Sequence, residues 1–332
     1  MSESKHQKEP SSDTLELDKQ TILEAISTNG AYHKEGCNIR RWEGSDETDS
    51  FICDITNGKN SFIGVLNGKF DREGYGMNTF ENGDRYLGYF EDDKRDKHGI
   101  YFWPSEEKNG KVQTECYYGF WKEDKKDHHG IYLWMNEPKG NKEFEKADFD
   151  AYVGTIIKDK FNKGTYLSKV GDDYYLYHGN FDSFGRKSDE NGMFYSAKYD
   201  RLIKGRIEED VFINGYVAFF DSESGEMSDM VYAEFDGKDK IKSLKQRTEI
   251  AEDERVKIEG KLNDFRNVIL NEDYFGILYE KYKEITAFID ENMHSLDVLD
   301  DKEKFPTIIK LCVGYNDKNI YSDIEKMFKM KK

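Results

Sequence analysis

Sixty-seven aspartates and glutamates make carboxylate pairs unavoidable in this chain, so closeness in sequence argues nothing about acid–base catalysis. Two charged runs are more pointed candidates: Glu91–His98 and Lys122–His129 each mix acids with lysine and histidine. A cation site there would need the ligand spacing and central glycine of a calcium loop, which neither run has. His128 and His129 adjoin Gly130, but neighbours on a strand point to opposite faces. No cysteine or further histidine stands at metal-ligand spacing from them. Both runs therefore read as solvated hairpin ends. The sequence holds no Gly-x-Ser-x-Gly elbow, no phosphate-cradling glycine loop, no His-Glu-x-x-His and no dinucleotide fingerprint in a strand–helix setting. The expectation is a non-enzymatic chain with no cofactor and no metal.

The chemistry that does recur is adhesive. Tyr86, Gly88 and Phe90 are followed by Gly99, Tyr101 and Trp103. The same order returns 31 residues later as Tyr117, Gly119 and Trp121, then Gly130, Tyr132 and Trp134. Alternation on a period of two is strand spacing, so each copy reads as a β-hairpin with a charged run as its loop. Fainter copies extend the series from about Ser61 to Asp236. Their first glycines are Gly64, Gly88, Gly119, Gly154, Gly179 and Gly205, with partners Gly74, Gly99, Gly130, Gly164, Gly192 and Gly215. Self-similarity at such a period marks a repeat architecture. Glycine recurring at one place inside a strand implies that a neighbouring ring lies across bare backbone.

In the two best copies both faces are apolar. Tyr101, Trp103, Tyr132 and Trp134 line one face, and Ile100, Phe102, Ile131 and Leu133 line the other. A single-layer sheet cannot bury both by itself. Either the chain's own C-terminal helices cover one face, or a partner protein does. Tyr86, Phe90, Tyr101, Trp103, Tyr117, Trp121, Tyr132 and Trp134 are the expected protein-binding positions, with the glycines shaping the hairpins.

The Tyr-x-Gly-x-Phe/Trp, loop, Gly-x-Tyr/Phe pattern resembles the membrane occupation and recognition nexus (MORN) repeat. The match is best at Tyr86–Trp103 and Tyr117–Trp134 and good at Phe62–Phe80. It is weaker at Tyr152–Tyr166, Tyr177–Tyr195 and Ile203–Phe219, where a motif glycine or aromatic drifts. The resemblance covers a little over half of the chain. It implies a mainly β fold: an elongated single antiparallel sheet of about six tandem hairpins, or about twelve strands. It also implies a scaffold or interaction subunit of a large cytoskeletal assembly, since relatives sit in the radial spokes of motile cilia. The family's lipid-binding association supplies the rival, a phosphoinositide or membrane-contact adaptor.

Outside the repeats, residues 1–30 read as a disordered tail (Met1 to about Ser11) and a short amphipathic helix from Ser12 to Ile26 that Gly30 can end. Residues 31–60 form an entry segment, and 237–332 a helical C-terminal region. Ile241, Leu244, Thr248, Ala251, Arg255, Ile258, Leu262, Phe265 and Ile269 step by threes and fours, the seam of a coiled-coil helix. A second helix is expected from Tyr274 to about Met293. Pro306 suits a helix start, Gly314 a stop, and Ile320–Lys329 a last basic helix.

A net charge of −17 disfavours nucleic acid and anionic membranes as partners. Only Lys326, Lys329, Lys331 and Lys332 beside Met327, Phe328 and Met330 look membrane-friendly. Cys37, Cys53, Cys116 and Cys312 are scattered, as reduced thiols are. The first thirty residues carry no apolar core, so no presequence is expected. The expected location is cytoplasmic and cytoskeletal, with the cilium as the finer reading, and self-association stays open.

Overall fold

The structure is a computed structural model that describes residues 19–42, 50–138, 148–171, 173–221, 223–236, 241–270, 274–293, 297–301 and 303–313. Seventeen strands belong to one open antiparallel sheet of tandem hairpins. They begin with β1 (Ala31–Lys34), β2 (Cys37–Arg41), β3 (Phe51–Asn57) and β4 (Asn60–Leu66). The aromatic repeats follow in β5 (Arg72–Thr79), β6 (Arg85–Glu91), β7 (Lys94–Lys108), β8 (Lys111–Lys122) and β9 (Lys125–Pro138). Next come β10 (Asp148–Ile157), β11 (Lys160–Val170), β12 (Asp173–Asn180) and β13 (Asp189–Ser196). The last are β14 (Arg201–Glu208), β15 (Val211–Phe220), β16 (Met227–Phe235) and β17 (Ile241–Lys245). The helices are α1 (Lys19–Asn29), α2 (Glu252–Leu270), α3 (Tyr274–Asn292), α4 (Asp297–Asp300) and α5 (Lys304–Val313).

The mainly β architecture with a helical C-terminal region is as expected, but the strand count and several boundaries differ. The entry segment is itself sheet: β1 pairs with β2, and β2 with β3. Its strands carry isoleucine and cysteine instead of the glycine–aromatic signature, so the motif could not reveal them. At the other end, Ile241–Lys245 is a strand paired with β16, and α2 starts only at Glu252. The heptad seam within α2 thus shrinks to Arg255, Ile258, Leu262, Phe265 and Ile269, of which Leu262 and Phe265 are buried in the chain itself. Ile241 and Leu244 sit three apart, and over five residues that spacing cannot separate a helix from a strand.

The other helical expectations fare better. Helix α1 ends at Gly30, whose N–H donates to the Ile26 carbonyl at 2.8 Å. Helix α3 matches its expected range, and Pro306 sits in the first turn of α5. Ser12–Asp18, Gly314, Ile320–Lys329 and the basic end with Lys326, Lys329, Lys331 and Lys332 lie outside the described residues.

The chain divides into two compact units. The first holds described residues from 1–104, 120–125 and 284–314, the second from 105–119, 126–283 and 315–332. In the first, α5 packs on β6. The Cys312 thiol donates to the Leu87 carbonyl at 3.5 Å, and Arg85 pairs with Asp290 of α3 at 3.0 Å. Burial pushes the Tyr75 phenol up to about 12, with Cys312 beside it. In the second unit α2 packs on β14. There the Tyr216 hydroxyl donates to Glu254, and Arg266 holds Asp200 through two nitrogens at 2.7 and 3.2 Å. The chain's own C-terminal helices therefore cover sheet strands in both units.

Candidate interaction surface

A row of glycines crosses the strands. The register pairs Gly64 with Gly76, Gly76 with Gly88 and Gly88 with Gly99. It also pairs Gly130 with Gly154, Gly154 with Gly164, Gly164 with Gly179, Gly192 with Gly205 and Gly205 with Gly215. The aromatic two residues before a glycine lies flat over it and its cross-strand partner. A methyl group on Gly88 or Gly99 would sit 2.5 Å from Tyr86 Cζ. Phe62, Tyr117, Tyr152 and Tyr177 cover their glycines in the same way. In three of the tyrosines the hydroxyl continues to a carbonyl three residues on. Tyr86 donates to Tyr89 at 3.0 Å, Tyr152 to Thr155 at 2.7 Å and Tyr177 to Asn180 at 2.7 Å.

One glycine assignment needs correcting. Gly76, not Gly74, stands opposite Gly64. Gly74 has φ +89° and faces Phe90, at a break in the β4–β5 register. Lys97 and His128 hold the equivalent places with φ +52° and +56°.

The charged runs are also not loops. Four hairpins turn on two residues with positive φ, Asp92–Asp93, Glu123–Asp124, Lys158–Asp159 and Glu209–Asp210, and the strand resumes at once. Such paired positive φ values are what a right-twisted two-residue hairpin requires. In these four turns the second residue is aspartate, and it bonds to the preceding hairpin. Asp93 accepts from the Arg72 main-chain N–H at 2.8 Å, and Asp124 from Arg95 at 2.9 Å. Asp159 accepts from Lys126 at 2.8 Å, and Asp210 from Lys187 at 3.0 Å.

Those four cations are 5–9% exposed and run along the rings. Arg95 lies 4.4 Å from the Trp121 ring centroid and 5.3 Å from that of Tyr101. Arg72 lies 4.8 Å from Phe90, and Lys187 5.1 Å from Tyr166. Burying the cation on a π face beside a carboxylate offsets its lost hydration. Composition concealed this. The spacing cation-x-x-x-Gly at Arg72–Gly76, Arg95–Gly99 and Lys126–Gly130 is the signal that would have found it.

The rings expected to bind partners are consequently occupied by their own chain. Tyr86, Phe90, Tyr101, Tyr117, Trp121 and Tyr132 are buried, and Trp103 and Trp134 are half-buried. Trp121 packs edge-on to Tyr86 at 5.4 Å, while Trp134 stacks on Tyr132 at 4.3 Å. The expectation of an open aromatic groove is corrected for the six buried rings. They are mortar between hairpins, because bare glycine backbone lets them sink into the sheet.

Large exposed apolar side chains stand elsewhere. In the second unit the turns after β10, β12 and β14 fall at one end of successive hairpins. They present Ile157, Phe184 and Val211 at 52%, 81% and 37% exposure. Beside them lies a groove of about 590 Å³ lined by Asp182, Ser188, Glu208, Glu209, Val211 and Ile213. Arg186 bridges Asp182 and Glu209 there, and Arg206 bridges Glu190 and Glu208. Four carboxylates thus meet two guanidiniums, leaving this groove acidic. Among the described residues no cluster of histidine, cysteine or carboxylate could hold a metal ion, and no helix is long and apolar enough to cross a membrane. No protein-family model and no curated protein matches this sequence.

Proposed function

We propose that this protein is a non-enzymatic scaffold that joins other proteins, with the hairpin-turn edge of its second unit as a contact surface. The observation that carries the reading is Phe184, a phenylalanine 81% exposed at a hairpin turn with Ile157 and Val211 on the neighbouring turns. Large apolar groups aligned beside an acidic groove suit a partner segment that is basic and carries apolar anchors. The ladder of buried rings and cations supports the same reading by stiffening the frame on which that edge is displayed. The finer proposal, a MORN-type subunit of a cytoskeletal assembly such as the ciliary axoneme, rests on the glycine–aromatic pattern alone.

The test is affinity capture from soluble and detergent-resistant cell fractions with the wild type and with Phe184→Ser combined with Ile157→Ser. Partners lost selectively from the variant, in a protein with unchanged thermal denaturation, support the proposal. An identical partner set sinks the turn edge as the contact surface. Co-sedimentation with phosphoinositide vesicles at low but not high salt would favour the membrane-adaptor alternative instead.

A further inference from the structure

In the second unit, strands β13 to β16 bury one face and leave the other open. On the buried side the register sets Tyr195, Leu202, Ala218 and Met230 in one cross-strand row, all 0–2% exposed. Helix α2 lies on that side. The Tyr216 hydroxyl, two residues before Ala218, donates to Glu254, and the Arg266 guanidinium lies 4.3 Å from the Phe220 ring centroid. Side chains alternate along a strand, so the residues between these point the other way. There the register gives a second row, Phe194, Ile203, Val217 and Val231, all apolar and all half-buried. Beside it runs a third, Ser196, Arg201, Phe219 and Asp229.

The two charges of that third row stand symmetrically about β15. Arg201 is exposed on β14, its guanidinium 5.2 Å from the Phe219 ring centroid, and Asp229 is exposed on β16. Neighbouring strands lie about 4.8 Å apart, so roughly 9.6 Å separates β14 from β16. Neither charge makes an ion pair among the described residues. A basic partner would answer Asp229 and repel Arg201, and an acidic one would do the reverse. A surface carrying the same two charges in mirrored order answers both.

We propose that this face binds the same face of a second copy, packed sheet on sheet, with a two-fold axis running along β15. Such an axis exchanges β14 of one copy with β16 of the other. It sets Arg201 against Asp229 twice over and Ile203 against Val231 twice over, with Val217 and Phe219 each meeting its own counterpart. Aligned sheets pack about 10 Å apart, a gap that side chains of this size fill from both sides. Val217 and Phe219 lie towards the far end of β15 from Val211, so this face is separate from the hairpin-turn edge. The net charge of −17 opposes self-association at long range, and physiological salt screens that repulsion.

The experiment is sedimentation velocity of the full chain over a concentration series at about 0.15 M salt. The wild type is expected to pass from monomer to dimer as its concentration rises. Arg201→Asp and Asp229→Arg should each weaken dimerisation about tenfold or more, because each sets like charges face to face twice. The double variant should restore the dimer, and so should an equimolar mixture of the two single variants, since both arrangements bring opposite charges back together. Val217→Lys, which places two ammoniums on the axis, gives the same loss should a reversal fold poorly by circular dichroism. Phe184→Ser combined with Ile157→Ser should dimerise as the wild type does. A chain that stays monomeric throughout leaves the face to a different protein and overturns the inference. So does a dimer that the reversals leave intact, or one that neither the double variant nor the mixture restores.

Discussion

Asp124 and Arg95 hold one another through four hydrogen bonds. The Asp124 carboxylate accepts from the Arg95 main-chain N–H at 2.9 Å and from its Nε at 3.1 Å, the Asp124 carbonyl accepts from Arg95 Nη2 at 2.9 Å, and the Asp124 N–H donates to the Arg95 carbonyl at 3.0 Å. A hairpin turn thereby fastens to the start of the second strand of the preceding hairpin, and Arg95 is left 5% exposed against Trp121. The same device joins Asp93 to Arg72, Asp159 to Lys126 and Asp210 to Lys187.

Removing one partner should therefore hurt more than removing both. Asp124→Ala is expected to destabilise the protein by about 3 kcal/mol, since it leaves a buried guanidinium without its counter-ion. Arg95→Met combined with Asp124→Ala should recover a good part of that loss. Denaturant titration followed by tryptophan fluorescence measures both. A double variant whose loss equals the sum of the two single losses would mean the pair is not a coupled unit.

The glycine row makes a second, sharper claim. Gly88→Ala is expected to cost about 2–3 kcal/mol, the range for overpacking a filled interior. The new methyl would meet Tyr86, which has 0% exposure and no room to move. In a Tyr86→Ala background the same substitution should cost less, because the ring is gone, while the Gly99 Cα at 2.6 Å from the new methyl keeps part of the cost. Equal costs in both backgrounds would show that the glycine serves backbone conformation and not ring seating.

That relation explains what was and was not legible in the sequence. Tyr86, Gly88 and Gly99 announce a ring over bare backbone because ring and glycine are spaced by the strand period, a short-range rule. Gly74 misled because Gly76 lies two residues on, on the same face of the strand, and only pairing with Gly64 separates them. Arg95 and Lys126 were hidden because a cation in a charged run is normally solvated, and its burial depends on rings from other strands. The eight rings share the strand alternation, but burial is a tertiary property. The alternation that puts Tyr86 and Tyr101 on one face does not say that Trp121 will close over both. Phe184 had no periodic partner to mark it.

Gly260 offers the opposite sign within the same residue type. It lies inside α2 with ordinary helical φ, is exposed, and a methyl built on it meets nothing within 4 Å. Gly260→Ala should stabilise α2 by about 1 kcal/mol, the helix-propensity difference. Hydrogen exchange of the α2 amides would show slower opening. A loss of stability instead would mean that α2 requires a bend at this residue.

His178 sets the pH dependence of the second unit. Burial, reinforced by Lys163 and Lys204 and partly opposed by Asp189, lowers its pKa from 6.5 to about 4. The unfolded chain then binds a proton at a pH where the native ring does not, so this contribution to stability is present above about pH 6.5 and is lost as the pH falls towards 4. The drop over that window should be on the order of 3 kcal/mol. His178→Gln, which cannot titrate, should flatten the profile across the same interval. Lys204→Met should shift the native pKa upward and narrow the window, since it removes one of the two lysines that oppose protonation. A wild-type profile already flat between pH 6.5 and 4 would place the ring in water and remove the basis for both expectations.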